Sequence, residues 1–193
     1  GYALVFLEDE SPDRAKIFYA RARGYALRVL RRNKDIAKAL DASDSAALRR
    51  CLSNLNKKWA DELYWTAAAW GGLINTSRDD PDAIAGAPLV EALMDRALIL
   101  DETYFHAGPH LFYGAYYGSK PKMFGGDPEK SRAHLTNAIR ITGGKFLLAH
   151  FFLAKYTAVL SQDRALFDSS LAKVEEGHIE ADLHRHRSEN RRA

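Results

Sequence analysis

The chain has a single cysteine, Cys51, among its 193 residues, so it lacks the pair of thiols that an internal disulfide requires. No run of residues approaches the roughly 20 consecutive apolar positions of a membrane-spanning helix. The formal net charge of +3 is too small an excess to indicate nucleic-acid binding. With 47% hydrophobic and 27% charged residues, the composition is that of a folded globular protein and argues against disorder.

Catalytic motifs are also missing. The sequence contains no G-x-S-x-G motif, no P-loop and no dinucleotide-binding fingerprint. The two acidic pairs, Asp61–Glu62 and Asp101–Glu102, flank predicted helices, where capping and the helix dipole explain them. We therefore expect a non-enzymatic protein that needs no cofactor.

Histidines offer the remaining ligands for a metal. His106 and His110 have the i,i+4 spacing of a metal-binding helix face, but no acidic residue follows in the HExxH manner, and Pro109 disturbs the turn. We interpret them as a helix start with one packed histidine. His184 and His186 in the polar tail do not share a helical face, so no metal site is predicted.

Helix signals are frequent and strand signals nearly absent. Ser11-Pro12 and Asp127-Pro128 place a capping residue before a proline at the first helical position, and Asp163 opens a further helix. The Gly143–Gly144 step ends one helix in the usual C-terminal manner. The predicted helices are about 12–32, 45–56, 63–75, 88–100, 106–118, 128–142, 145–160 and 163–176. Eight helices joined by short loops predict an all-α protein of antiparallel helical hairpins.

Three of these helices contain a weak internal sequence repeat around Ala97, Ala138 and Ala172, spaced 41 and 34 residues apart. The second spacing equals the tetratricopeptide period, and the first exceeds it by a loop insertion, for which 120–126 is the candidate. We therefore predict a single helical-repeat domain over 1–177 with a cryptic TPR-like (α-solenoid-like) repeat. Residues 178–193 are predicted to be a polar tail or frayed helix.

The segment from Leu63 to Ile74, LYWTAAAWGGLI, is apolar on every side, which predicts a helix enclosed by protein. Its aromatic and small residues suit either a tight core or an apolar ligand cavity, and two later helices are similarly rich in aromatic residues. Buried tyrosine hydroxyls need partners, and with histidines they could give an apolar tunnel a few polar groups. The predicted pore-lining residues are Tyr64, Trp65, Trp70, His110, Tyr113, Tyr116, Tyr117, Phe146 and His150. A filled structural core remains the alternative.

The first predicted helix has a basic face, formed by Arg14, Arg21, Arg28 and Arg32. This pattern is typical of a solvated helix surface, and it also fits contact with an acidic partner or with lipid headgroups. Arg21 and Arg28 are the candidate partner-binding residues.

Together these segments resemble the T component of TRAP transporters, the TatT family of periplasmic lipoproteins. The most specific match is LYW with AAW between Leu63 and Trp70. The matching segments, in order, are Pro12–Lys16, Tyr19–Arg28, Leu63–Trp70, Val90–Leu98, His110–Tyr117, Gly126–Lys130, His134, Gly143–Phe146 and Gln162–Phe167.

This resemblance implies an all-helical protein with TPR-like hairpins that assembles as a homotrimer. It also implies a periplasmic substrate-binding protein of a TRAP system as partner, and a pore in each protomer for an apolar small molecule. Family members are lipid-anchored through an N-terminal cysteine, so we expect membrane contact through an anchor upstream of Gly1. Our first hypothesis is therefore a non-enzymatic periplasmic protein that binds this partner and such a ligand. The second is a trimeric scaffold, an accessory subunit of a membrane-associated complex with no ligand.

Overall fold

A computed structural model describes residue 8 and residues 10–177, and every regular element in this part of the chain is helical. The predicted all-α fold is confirmed. The α-helices are α1 Pro12–Leu30, α2 Lys34–Asp41, α3 Ser45–Ser53, α4 Ala60–Asn75, α5 Pro81–Ile84, α6 Ala87–Leu100, α7 Tyr104–Gly118, α8 Pro128–Ile141, α9 Leu147–Phe152, α10 Val159–Ser161 and α11 Arg164–Glu175. Short 3-10 turns cover Lys57–Trp59 and Lys122–Phe124, and a π-helical segment covers Leu153–Ala158.

Side-chain caps define several helix starts. Asp127 accepts hydrogen bonds from two backbone N–H groups at the start of α8, and Asp163 accepts one at the start of α11, as the sequence predicts. Asn33 does the same for α2, a helix that the sequence analysis missed. Ser11 precedes Pro12 as expected, but its side chain makes no capping hydrogen bond, so α1 begins on the proline alone.

The helix predicted over 106–118 is interrupted near its start. Phe105, His106 and Ala107 all have positive φ, at 46°, 57° and 60°, so they form a left-handed turn. Such a turn is unfavourable for residues with a Cβ atom and persists only where surrounding packing holds it. Pro109 follows, where its fixed φ and missing N–H suit the first turn of a right-handed helix.

The described helices divide into two compact units, Gly1–Glu102 and Thr103–Ala193. In the first unit α4 packs against α1 and α6, and α6 also packs against α3. The segment 63–74 of α4 is buried or half-buried throughout, in line with its all-round apolar pattern.

In the second unit α7 packs along α8, and the π-helical segment contacts both of them as well as α11. The core of this unit is aliphatic and aromatic, with Leu111, Leu135, Phe146 and Phe152 among its buried residues. Gly114 lies where α7 meets Leu135; a Cβ atom there would come within 2.4 Å of the Leu135 Cγ, so only glycine permits this approach.

The predicted single domain and TPR-like repeat stay predictions, and the tail 178–193 lies outside the described residues. Within the described part of the chain, no helix combines the length and the apolar character needed to cross a membrane.

Candidate functional site

The nine predicted pore-lining residues fall into two groups, each inside one compact unit. Tyr64, Trp65 and Trp70 lie on α4 of the first unit, and Tyr64 and Trp65 make an edge-to-face contact with ring centroids 4.9 Å apart. The others lie in the second unit, and they are His110, Tyr113, Tyr116, Tyr117, Phe146 and His150.

Trp70 is held between a cation and a glycine. The Arg23 guanidinium carbon lies 4.4 Å from the centre of the indole ring, the geometry of a cation–π contact. On the side of α6, a Cβ atom on Gly86 would lie 2.7 Å from the indole Nε1, so glycine permits the ring to sit against the backbone. Trp70 is 7% exposed.

A half-open cleft of about 230 Å³ lies beside this tryptophan, entirely within the first unit. Residues of α1, α2, α4, α5 and α6, and of the connections next to them, contribute to its walls. The lining residues are Arg23, Leu27, Arg31, Leu40, Ser43, Trp70, Asp82, Ala85, Gly86 and Leu89. Trp70 is thus the one predicted pore-lining residue that lines this cleft, whereas Tyr64 and Trp65 do not.

Among the described residues, only one of the two arginines that line the cleft forms a salt bridge. Arg31 forms a salt bridge of 2.6 Å with Asp41, outside the lining. The Nε of Arg23 is shielded from solvent and has no hydrogen-bond partner among the described residues. Burial lowers the pKa of Arg23 from its ordinary value, and the positive charge of Arg31 lowers it further. An arginine nevertheless keeps its charge in proteins, so the cleft contains an incompletely compensated cation.

The sequence analysis missed this role of Arg23. Its spacing from the other arginines of α1 placed it off the basic face, and no local pattern indicates that it stacks on a tryptophan from a distant helix. Ser43 also contributes to the cleft from the connection between α2 and α3, where its φ of 52° lies in the left-handed region.

In the second unit, three predicted tyrosines form an aromatic cluster along α7. The Tyr113 and Tyr117 rings stack with centroids 5.9 Å apart, and Tyr116 makes edge contacts with both. Lysines cover the outer rings: Lys120 Nζ lies 3.4 Å from the centre of Tyr116, and Lys130 Nζ lies 5.2 Å from that of Tyr117. Tyr113 is buried, and Tyr116 and Tyr117 are half-buried.

His134 of α8 completes this cluster, although the sequence analysis did not count it among the site residues. Its ring lies 5.1 Å from that of Tyr113, and its Nδ1 lies 3.0 Å from the Nδ1 of His110. One of the two nitrogens must donate a hydrogen and the other accept it, so at least one of these rings is neutral. Burial, together with the neighbouring His110, lowers the pKa of His134 to about 4.

The contacts of Phe146 and His150 are separate from those of the tyrosine cluster. Phe146 is only 2% exposed and stacks on His106 with ring centroids 4.6 Å apart, as a core residue does. His150 Nε2 donates to the carbonyl oxygen of Gly144 at 3.3 Å. Burial is the main cause of the lowered pKa of His150.

His106 lies within the left-handed turn and His110 in the right-handed helix that follows it, so the two imidazoles do not share one helix face. Across the described part of the chain, no group of three or more His, Cys, Asp and Glu side chains is placed to hold a metal ion. The tail histidines considered above lie outside it.

The candidate partner-binding residues are both on the exposed side of α1. Arg21 and Arg28 are exposed, and the Arg28 guanidinium carbon lies 4.4 Å from the ring centre of Tyr25, which is itself 65% exposed. Ile17 is also exposed on this helix. This face therefore combines positive charge with apolar surface.

Comparison with known proteins is consistent with this picture. No curated protein matches the chain. The sequence model of the TRAP transporter T-component family, TAtT, matches residues 1–187. This match implies association with a TRAP transport system and suggests an extracytoplasmic location, and components of this kind are usually non-enzymatic. Since the match extends over nearly the whole sequence, the chain belongs to the TRAP transporter T-component family.

Proposed function

We propose that this protein is a non-enzymatic, periplasmic component of a TRAP system that holds an apolar small molecule and binds a substrate-binding protein. The observation that carries the ligand-binding part is the cleft beside Trp70. Family membership supports the transport context. The proposal includes assembly as a homotrimer of TPR-like protomers and attachment to the membrane through a lipid anchor.

The lining of the cleft suits an apolar ligand. Leu27, Leu40 and Leu89 contribute aliphatic side chains from three different helices, and Trp70 contributes an aromatic side chain. Apolar ligand surface buried against such walls contributes roughly 25 cal/mol per Å². Concave, mostly apolar sites with a few polar groups are the usual form of small-molecule sites.

The aromatic cluster of the second unit extends the same proposal. Tyr113, Tyr116 and Tyr117 present ring surface together with hydroxyl groups, and His110 and His134 add imidazole nitrogens. Such groups suit the polar end of a ligand bound within this unit, with the remainder of that ligand apolar.

For the partner, we propose that the exposed face of α1 contacts an acidic surface. Arg21, Arg28 and Tyr25 together offer positive charge and an aromatic ring, a combination enriched at protein interfaces. Opposite charge on the partner would chiefly accelerate association.

A ligand-free trimeric scaffold is the second candidate, and one observation favours it. Several of the predicted pore-lining side chains, Phe146 and Tyr113 above all, are buried in protein contacts. These contacts are what a filled core would show.

Native mass spectrometry of the purified full chain separates the candidates. A mass of three chains that loses a small adduct on harsher activation is the result expected for a ligand-holding trimer. A trimer without an adduct, unchanged after incubation with 1-octanol, would favour the scaffold. A bare monomer would contradict the proposed trimer in both cases.

A further inference from the structure

We propose that the cleft of the first unit binds a small organic monoanion, a carboxylate on an apolar body, with its charge on Arg23. The inference rests on the proposed ligand-holding function and deepens it by giving the ligand a chemical class. It assigns Arg23 as the group that recognises the head and Leu27, Leu40 and Leu89 as the surface for the body.

The first argument is the state of the Arg23 side chain. One face of its guanidinium lies over Trp70, and its Nε is shielded from solvent without a hydrogen-bond partner. Among the described residues, no carboxylate forms a salt bridge with Arg23. A partly desolvated and unpaired cation is unfavourable, and a bound carboxylate would compensate it through charge-assisted hydrogen bonds.

The second argument is the pairing of charges around the cleft. Arg31 is already neutralised by Asp41, and Asp82 adds one negative charge to the lining. Counted with Asp41, these four charges sum to zero, but Arg23 has no salt-bridge partner among the described residues and is therefore the cation available to a ligand. Asp82 would repel a second negative charge, so a monoanion fits better than a phosphate or a dicarboxylate.

The third argument is size and apolar lining. At about 230 Å³ the cleft is below the roughly 300–1,000 Å³ of pockets for drug-sized ligands. Its leucines come from α1, α2 and α6, and they line the same space as the guanidinium. A medium-chain monocarboxylate combines this size with an apolar chain and a single charge.

Isothermal titration calorimetry of the full chain with octanoate and with 1-octanol tests the inference. The two probes share an eight-carbon body and differ in the charge of the head. Because hydrogen bonds to a charged group are stronger than those between neutral groups, we expect octanoate to bind about tenfold more tightly than 1-octanol. Arg23→Gln should reduce octanoate affinity to about that which the same variant has for octanol.

Arg14→Gln is the matched control, since Arg14 is an exposed arginine of the same helix that does not line the cleft. It should bind both probes as the unmodified protein does. Equal affinity of the unmodified protein for octanoate and octanol would overturn the anion inference and leave the apolar-ligand proposal standing. This comparison uses only the unmodified protein, so it does not depend on whether a variant folds. Preference for octanoate that survives Arg23→Gln would also overturn the inference, and binding of neither probe would contradict both proposals.

Discussion

Some side chains in this protein have shifted pKa values, at places where two helices bring polar groups together in an apolar setting. Arg23 on Trp70 is one case, and the His110–His134 contact is the other. In both, burial is the largest cause of the pKa shift that accompanies the contact. These perturbed groups lie beside the proposed ligand-binding surfaces, as perturbed groups often do.

The buried histidine makes stability depend on pH. The pKa of His134 is about 4 in the folded protein, against an unperturbed value of 6.5. Between these pH values the unfolded chain binds more protons, so the free energy of unfolding should fall as the pH drops from 6.5 towards 4. Above pH 6.5 the contribution is fully present. Because the ring is only half-buried, solvent screens part of the effect, and we expect a loss of about 1–2 kcal/mol.

Urea unfolding of the unmodified protein and of His134→Gln at pH 7.5 and pH 5.0 measures this contribution. Glutamine does not titrate in this range and can still hydrogen-bond to His110. The variant should therefore lose less stability on acidification than the unmodified protein. Equal losses in the two proteins would show that another group is responsible; His150, whose pKa is also lowered by burial, would be the next to substitute.

At the level of helices, close packing depends on small residues at specific contacts. On α7, Gly114 faces Leu135 of α8, which is fully buried. The glycine at this point lets α7 and α8 approach, and the Tyr113–His134 contact joins the same two helices. The aromatic cluster therefore depends on a residue that carries no side chain.

Gly114→Ala should destabilise the protein by about 1–3 kcal/mol, because its methyl group would overpack against Leu135. Gly24→Ala is the matched control. Gly24 lies inside α1 with no atom within 4 Å of the added Cβ, so alanine there should stabilise by up to about 1 kcal/mol through helix propensity. Thermal unfolding of both variants provides the comparison. A Gly114→Ala protein as stable as Gly24→Ala would mean that α7 and α8 do not pack as closely as described.

For the chain as a whole, the proposed function involves assembly and partner binding. The exposed basic and aromatic face of α1 is the proposed contact for a partner, whereas the scaffold hypothesis assigns it to self-assembly. These two assignments predict different oligomeric states after charge reversal.

We expect the combined Arg21→Glu and Arg28→Glu variant to keep the mass of a trimer in sedimentation velocity, since the proposed function uses these residues for a different protein. Arg50→Glu with Lys58→Glu changes the net charge equally at exposed positions away from α1 and is the control. Dissociation of the α1 variant alone, while the control remains trimeric, would favour the scaffold over the proposed function.

Local signals in the chain were sufficient for most of the longer helices and for several of their starts, although α2 was missed. Asp127 and Asp163 cap the helices they precede, and the all-round apolar pattern of 63–74 correctly indicated an enclosed helix. Capping and periodicity act within one or two turns, so they can be read along the sequence. The family resemblance was recognisable for the same reason, since its segments recur in order along the chain.

Contacts between distant residues depended on packing instead. No neighbour in sequence indicates that Arg23 stacks on Trp70, that His134 pairs with His110, or that 105–107 turn in the left-handed sense. The two side-chain contacts arise where different helices meet, and their energy belongs to the contact rather than to either segment. The helices are therefore a property of local sequence, whereas the cleft and the aromatic cluster exist only through the way the helices pack.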